Sequence, residues 1–424
     1  MVTVPTSIFP VSERFINLGR ESVTPAVAAT SYVTVPVTSF LPDDKPIWIP
    51  DEAWRASMAM EYDLLQGPIW TETTFGGPAY GDTIGHLFYN ILGDNVATGT
   101  GQGTITTTLN HSGGYAAGTS GTITVTSGGG FTSSSYVQID TGGNAEIVQI
   151  TAGGATDIVI SASTPTRFAH TQSAIVTQVV APFTNGFGLL NGGNGQPPSH
   201  TFVDRTQIPG SGNNNAVQYL YGCLSELELT GNAKGILTYT ANMASYSHSY
   251  PGSPPVASIS AVRATPVWRS LLALGGTIPT FEVNDIAEWK LKLTRVVEPI
   301  PTNDGTQSPF VIARGKFSAT CALTFMPTLD ETELNYMLNN TQPQLQIQLN
   351  NGFASTSASF IQYTIDAQLA AFDTAKINES SALFGYDVTS KLIANTTNSS
   401  GTDVTNSGSY SPLHISLVNA VPVY

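Results

Sequence analysis

The sequence predicts an α+β chain that is mainly β, built as two tandem domains with a small β-module inserted in the first. Three observations predict it. Apolar runs alternate with polar residues at period two, as in Trp289-Lys290-Leu291-Lys292-Leu293-Thr294-Arg295 and from Lys316 to Phe325, the pattern of strands with one buried face. Only two segments carry a helical stripe. From Asn95 to Gln178 the composition shifts to Gly, Ser and Thr around four short β-branched runs.

Taken in order, residues 1–30 hold small and polar residues with isolated apolar clusters, and are expected as an N-terminal arm. Residues 31–249 form the first domain. Val33 to Phe40 reads as a strand, Pro42-Asp43-Asp44-Lys45-Pro46 as the loop ending it, and Trp48 to Trp70 as further extended chain that includes Ser57 to Tyr62. Thr71 to Pro78 reads as a turn-rich approach to a helix. Ile84, Leu87, Phe88, Ile91 and Leu92 then share one helical stripe, which Asp82 can cap and Gly93 can stop.

Within 95–178, Thr122 to Val125, Tyr136 to Ile139, Glu146 to Ile150 and Asp157 to Ile160 are the expected strands of the inserted module. Residues 250–280, opening with Pro251 to Pro255, are expected as a linker or stacking loop. Residues 281–424 form the second domain and C-terminal segment. There Thr328 and Glu331 make a capping box for a helix with stripe Leu334, Met337 and Leu338. Leu345 to Leu349, Phe360 to Ala370, Phe384 to Ile393 and Leu413 to Val418 are strands, and the polar run Asn395 to Ser409 is long enough to reach a neighbour.

A duplication links the two domains. Asp82 and Asp330 open equivalent helices, and Gly67 and Gly315 precede them at the same spacing. Val217 to Leu220 matches Ile361 to Thr364, and Leu224 to Leu229 precedes Gly235 to Thr240 as Gln368 to Phe372 precedes Leu383 to Val388.

Composition narrows the function. The chain of 424 residues, 41 % hydrophobic and 11 % charged, can fill several cores and is not a disordered polyelectrolyte. Its formal charge of −14 argues against nonspecific binding to nucleic acid or anionic membrane, which need a basic footprint. No apolar run reaches the roughly 18 residues of a membrane span and Met1 to Pro10 has no leader pattern, so a soluble protein made in a cytoplasm is expected. Cys223 and Cys321 lie in apolar strand-like sequence and read as buried free thiols. His86, His111, His170, His200, His248 and His414 are isolated, without metal spacing, and no nucleophile elbow or phosphate-binding loop is present. Asp330, Glu331 and Glu333 are explained by the positive end of a helix dipole. No catalytic, cofactor-binding or metal site is therefore assigned, and the expectation is not an enzyme.

Val37-Thr38-Ser39-Phe40 with the Pro42 to Pro46 loop, then Gly67-Pro68 and Gly76-Gly77-Pro78 leading to Asp82 through Gly93, resembles the first half of the tail tube (major tail) proteins of long-tailed, noncontractile bacteriophages, especially those infecting actinobacteria. The resemblance resumes at Leu224 to Tyr239, at Trp289 to Pro299 with Asp304-Gly305, and from Gly315 through Leu338. It implies tail-tube-like domains, each with two roughly orthogonal antiparallel sheets and a flanking helix. It further implies self-association in rings that stack into a hollow virion tube assembled in the bacterial cytoplasm. The implied partners are a tape measure protein in the tube during assembly, tail terminator and tail-tip proteins, and double-stranded DNA that passes an acidic channel unbound. No cofactor and no membrane are implied. Two tube domains per chain favour a trimeric ring with pseudo-sixfold symmetry over a hexamer. The alternatives are a baseplate or capsid-decoration protein of related β fold, or a secreted carbohydrate-binding or adhesin module.

Overall fold

A computed structural model describes residues 14–21, 27–56, 58–133, 135–140, 144, 146–162, 164–166, 168–191, 195–206, 216–258, 260, 262–326, 332–356, 359–378, 385–395 and 410–424. The chain is mainly β, with 58 % of the described residues in strands and 5 % in helices. β1 (Arg14–Arg20) and β2 (Val33–Val35) precede a long hairpin of β3 (Ser39–Asp51) and β4 (Asp63–Pro78), which leads into α1 (Ile84–Leu92). β5 (Gly93–Thr108) runs out to the module strands β6 (Gly121–Thr124), β7 (Tyr136–Ile139), β8 (Glu146–Gly153) and β9 (Asp157–Ile160), and β10 (Ile175–Leu189) returns. β11 (His200–Thr206), β12 (Ala216–Asn232) and β13 (Thr238–Tyr246) follow, then β14 (Leu271–Leu274) and β15 (Glu282–Val283). A second long hairpin, β16 (Ile286–Ile300) and β17 (Val311–Phe325), leads into α2 (Thr332–Leu338), followed by β18 (Leu345–Thr356), β19 (Ser359–Ala367), β20 (Ala370–Asn378), β21 (Gly385–Leu392) and β22 (His414–Asn419).

Two antiparallel sheets enclose α1. The first runs β3-β4-β13-β12-β16-β17-β21-β20, eight strands spanning both halves of the chain. The N-terminal part of β12 leaves this strip to pair with β11, which carries β1 and β2. The second sheet runs β15-β14-β18-β19-β22-β10, with β5 on the far side of β10 and the module strands β7, β8, β9 and β6 added at the outer end of β10. One continuous hydrophobic core lies between the sheets, from Ile16 and Leu18 through Leu227, Leu291 and Tyr363 to Tyr424. The module has a core of its own, built on Ile123, Val137, Ile150 and Ile158. The two halves are thus not separate globules, because each contributes a contiguous block of strands to both layers.

All nine residues of α1 are buried, so its apolar stripe covers only part of what it buries. Its polar positions are satisfied inside. Asn90 donates to the Gly222 carbonyl at 2.9 Å and accepts from the Leu224 N–H at 2.7 Å, closing the point where β12 changes partners. The Arg295 guanidinium, on β16, donates to the carbonyls of Ile91 (2.8 Å) and Gly195 (3.1 Å), a cation on the negative end of α1. Burial, with Arg314 nearby, lowers its pKa to about 10.

Several segments differ from expectation. Pro42 to Pro46 is strand, not loop, since β3 is an edge and proline loses nothing where an N–H would point outward, and Thr71 to Pro78, expected as turn-rich, is strand in β4, paired with both β3 and β13. Ser57 lies outside the described residues, and its neighbours from Met58 to Tyr62 belong to the connection between β3 and β4. Residues 14–20 of the expected arm form β1, with Ile16 and Leu18 in the core. The expected linker carries β14, paired with β18. Gly93 ends α1 in the left-handed region (φ 89°) as expected, but Asp82 does not cap it; that carboxylate accepts from Ser260 Oγ at 2.5 Å. In α2, Tyr336 and Met337 pack on the core while Leu338 is 68 % exposed. Thr328, Asp330, Glu331 and nearly all of the run from Asn395 to Ser409 lie outside the described residues.

Candidate assembly interface

The first sheet repeats one unit of four strands and a helix, and its ladders align the two copies. Opposite pairs in β4 and β13 (Phe75↔Ala241, Thr73↔Met243) correspond to pairs in β17 and β21 (Leu323↔Val388, Cys321↔Ser390). Two irregularities fall at equivalent places. The β12–β13 ladder slips between Leu224 and Glu226, the β20–β21 ladder between Phe372 and Thr374. The β3–β4 ladder slips between Pro46 and Trp48, the β16–β17 ladder between Arg295 and Val297. A glycine faces each of the latter bulges. A Cβ on Gly67 would lie 2.9 Å from the Ile47 carbonyl oxygen, and one on Gly315 would lie 3.3 Å from Val296 Cβ. β-bulges are positional features, and two shared ones are strong evidence of one plan used twice.

The two units join edge to edge through β12 and β16. Glu228 stands opposite Lys292 and Leu229 opposite Leu291, and Glu226 pairs with Lys292 at 2.8 Å. The strip then ends in two strands with one neighbour each among the described strands, β3 and β20. Ile377 on β20 is 63 % exposed although its equivalent, Leu229, is 1 % exposed. The difference is the missing neighbour.

One face of the strip lies on the core and the other is open. Cross-strand partners share a face, so Leu41, Thr74, Asn242, Glu226, Thr294 and Ser318 form one row across the open side. This face is rich in Thr, and four of its lysines are neutralised locally. Lys45 pairs with Asp43, Lys290 with Glu288 (3.0 Å) and Lys391 with Asp373 (3.3 Å), besides the Lys292 pair. Lys290 and Lys292 therefore share the open face, while Arg295 points to the core side and caps α1.

Both long hairpins extend beyond their neighbours. Past Trp70, β4 has no pairing with β13, and the ribbon exposes Ile47, Trp48, Ile49, Leu64 and Leu65, each about half accessible; Trp54 and Met58 at its tip are fully accessible. Val296 and Phe310 are similarly exposed on the β16–β17 hairpin. Apolar ribbons of this kind are surfaces awaiting cover.

The histidines fall in unrelated places. His86, on α1, and His200, at the start of β11, are buried side by side, their rings 5.7 Å apart. Burial, then the nearby Arg20 charge, lowers His86 to about 3, and burial holds His200 well below its ordinary value. His170 sits in the module between Glu146 (2.6 Å) and Asp140 (3.3 Å). Burial opposes its protonation, but the hydrogen bonds and charges of Glu146 and then Asp140 outweigh burial and raise its pKa. His111 bonds the Gly114 carbonyl, His248 meets Asp44, and His414 is lowered by burial. Cys223 and Cys321 are buried free thiols pushed up to about 12 by burial. Among the described residues no three His, Cys, Asp or Glu side chains are placed to hold a metal ion, and no helix is long and apolar enough to cross a membrane. Sequence reasoning found the repeated glycines but missed the shared bulges, which exist only as a relation between strands. Compared with known proteins, the chain matches no family model and no curated sequence.

Proposed function

We propose that the chain is a structural protein that builds rings through the two open edges of its eight-stranded sheet, and that rings stack into the hollow tube of a bacteriophage tail. The observation that carries this reading is the duplicated unit joined edge to edge inside the chain, which leaves at its two ends the same two kinds of edge that meet at the internal junction, one on β3 and one on β20. An even number of antiparallel strands lets β3 of a second copy continue the alternation after β20, and such a heterologous contact closes a ring when rotation permits.

Closure with the open face inward would line a channel with threonines and with lysines of which four are neutralised locally, a surface with little to hold phosphates. Three copies would close roughly 24 strands, a barrel about 48 Å across between backbones at ~4.8 Å per strand and ~40° tilt. Six would give about 96 Å, far more than a duplex requires, which favours the trimer. The second sheet and the module then lie outside, and the long hairpins with Trp48, Trp54 and Met58 provide apolar contact between rings. In this reading the tape measure, terminator and tip proteins are tail partners, and the role is architectural rather than enzymatic.

Electron microscopy of the purified chain and of a particle carrying it tests the proposal. Hollow stacked rings with the mass of three chains and sixfold-like density are expected. Monodisperse particles and low copy number would instead favour a baseplate or decoration protein.

A further inference from the structure

The internal β12–β16 junction supplies a residue-level template for the contact between copies, an inference that rests on the ring reading above. Equivalences set by the ladders and bulges place β20 on β12 and β3 on β16: Lys376 corresponds to Glu228, Ile377 to Leu229, Asp43 to Lys292 and Pro42 to Leu291. We propose that β20 of one copy pairs antiparallel with β3 of a second copy in the register of the internal junction, setting Lys376 opposite Asp43, Ile377 opposite Pro42 and Thr374 opposite Lys45.

Three observations support this register. Ile377 lies on the core side yet is 63 % exposed, and a strand at its edge would cover it as β16 covers Leu229. Lys376 stands in no ion pair within 4 Å among the described residues, and Asp43 keeps 64 % of its side chain accessible. The charges also fit in a particular sense. The internal pair is acid on β12 and base on β16, whereas the outer edges carry base on β20 and acid on β3.

That inversion makes the two junctions mutually exclusive. Pairing β20 with a stray β16 would set Lys376 against Lys292, and pairing β12 with a stray β3 would set Glu228 against Asp43. Like charges opposed in a ladder are unfavourable, so the code rejects strand-swapped assemblies that the duplication would otherwise permit. Pro42 and Pro46 remove donors from the outer edge of β3, so the proposed ladder forms without an N–H from Pro42 and its selectivity rests on the charges rather than on the hydrogen bonds.

Disulfide capture in the full chain tests the register. D43C/K376C, oxidised at assembly concentration, is expected to give a ladder of covalently joined copies on non-reducing gels, whereas D43C/T374C, displaced by two residues, is not. K376E should raise the concentration needed for ring formation by about tenfold or more, and K376E/D43K should restore it. Unchanged thermal unfolding of the monomer separates these effects from misfolding. Rings that form normally while K376C links to itself, or while only the displaced pair links, would overturn the register and leave the ring reading intact. No oligomer from the unsubstituted chain at any concentration would overturn both.

Discussion

The two halves share a strand plan, yet their helices have opposite fates. α1 is enclosed by both sheets, with Phe88 against Phe187 and Asn90 bonded to β12. α2 lies beside the edge strand β20, with Tyr336 on Phe372 and Leu338 facing outward. The same contrast holds at the helix ends. Arg295, from the second half, satisfies carbonyls at the end of α1, but its equivalent in the first half is Pro46, which has no donor to offer. A repeated unit therefore does not carry its stability with it; position in the assembled sheet decides which copy is locked.

The largest test of that contrast is a pair of truncations. Phe88→Ala should lower unfolding free energy by about 3–5 kcal/mol, and Leu338→Ala should stay within about 0.5 kcal/mol, both read by chemical denaturation. If the two cost the same, the helices are not in the different environments described. Removing the cross-half contact with Arg295→Met should cost about 2–3 kcal/mol, because the carbonyls of Ile91 and Gly195 are left in the interior.

Titration separates the enclosed helix from the module. His86 is held neutral, with a folded pKa of about 3 below an unfolded value near 6.5, so its stabilisation is present above pH 6.5 and lost as pH falls toward 3. The body should lose about 2 kcal/mol between pH 6.5 and 5 from this group, and His86→Gln should flatten the profile. His170 has the opposite sign. Its raised pKa gives stability that is present below about 6.5 and lost as pH rises through the folded value, so the protection of amides across residues 109–176, taken relative to intrinsic exchange at each pH, should fall on alkalinisation. The smallest effect compares the shared bulges. Gly67→Ala brings a Cβ against backbone at 2.9 Å and should cost more than Gly315→Ala, which meets a side chain at 3.3 Å. A difference of about 1 kcal/mol in urea midpoints is expected, and equal costs would show that the two bulges are equally tight.

Much of this was readable in the residues. The module strands, the stop at Gly93 and the alternating β16 and β17 follow from periodicity, which reports a buried face without naming what covers it. Within β3 the segment Pro42 to Pro46 reads as a loop in sequence because whether proline is tolerated depends on edge position, and edges are defined by neighbours. Asp82 matched the local cap pattern, yet Ser260, far along the chain, took its carboxylate.

For the proposed interface, sequence supplied Gly67 and Gly315 and the idea of duplication, while Lys376 and Asp43 drew no attention. Local chemistry determined where strands and α1 would form, since alternation, turn residues and a left-handed glycine act over a few positions. Tertiary structure alone decided that both halves share two sheets, that α1 rather than α2 is enclosed, and that β3 and β20 end the strip. Those outcomes depend on which distant strands compete for each edge, and a single strand's sequence records its faces but not its neighbours.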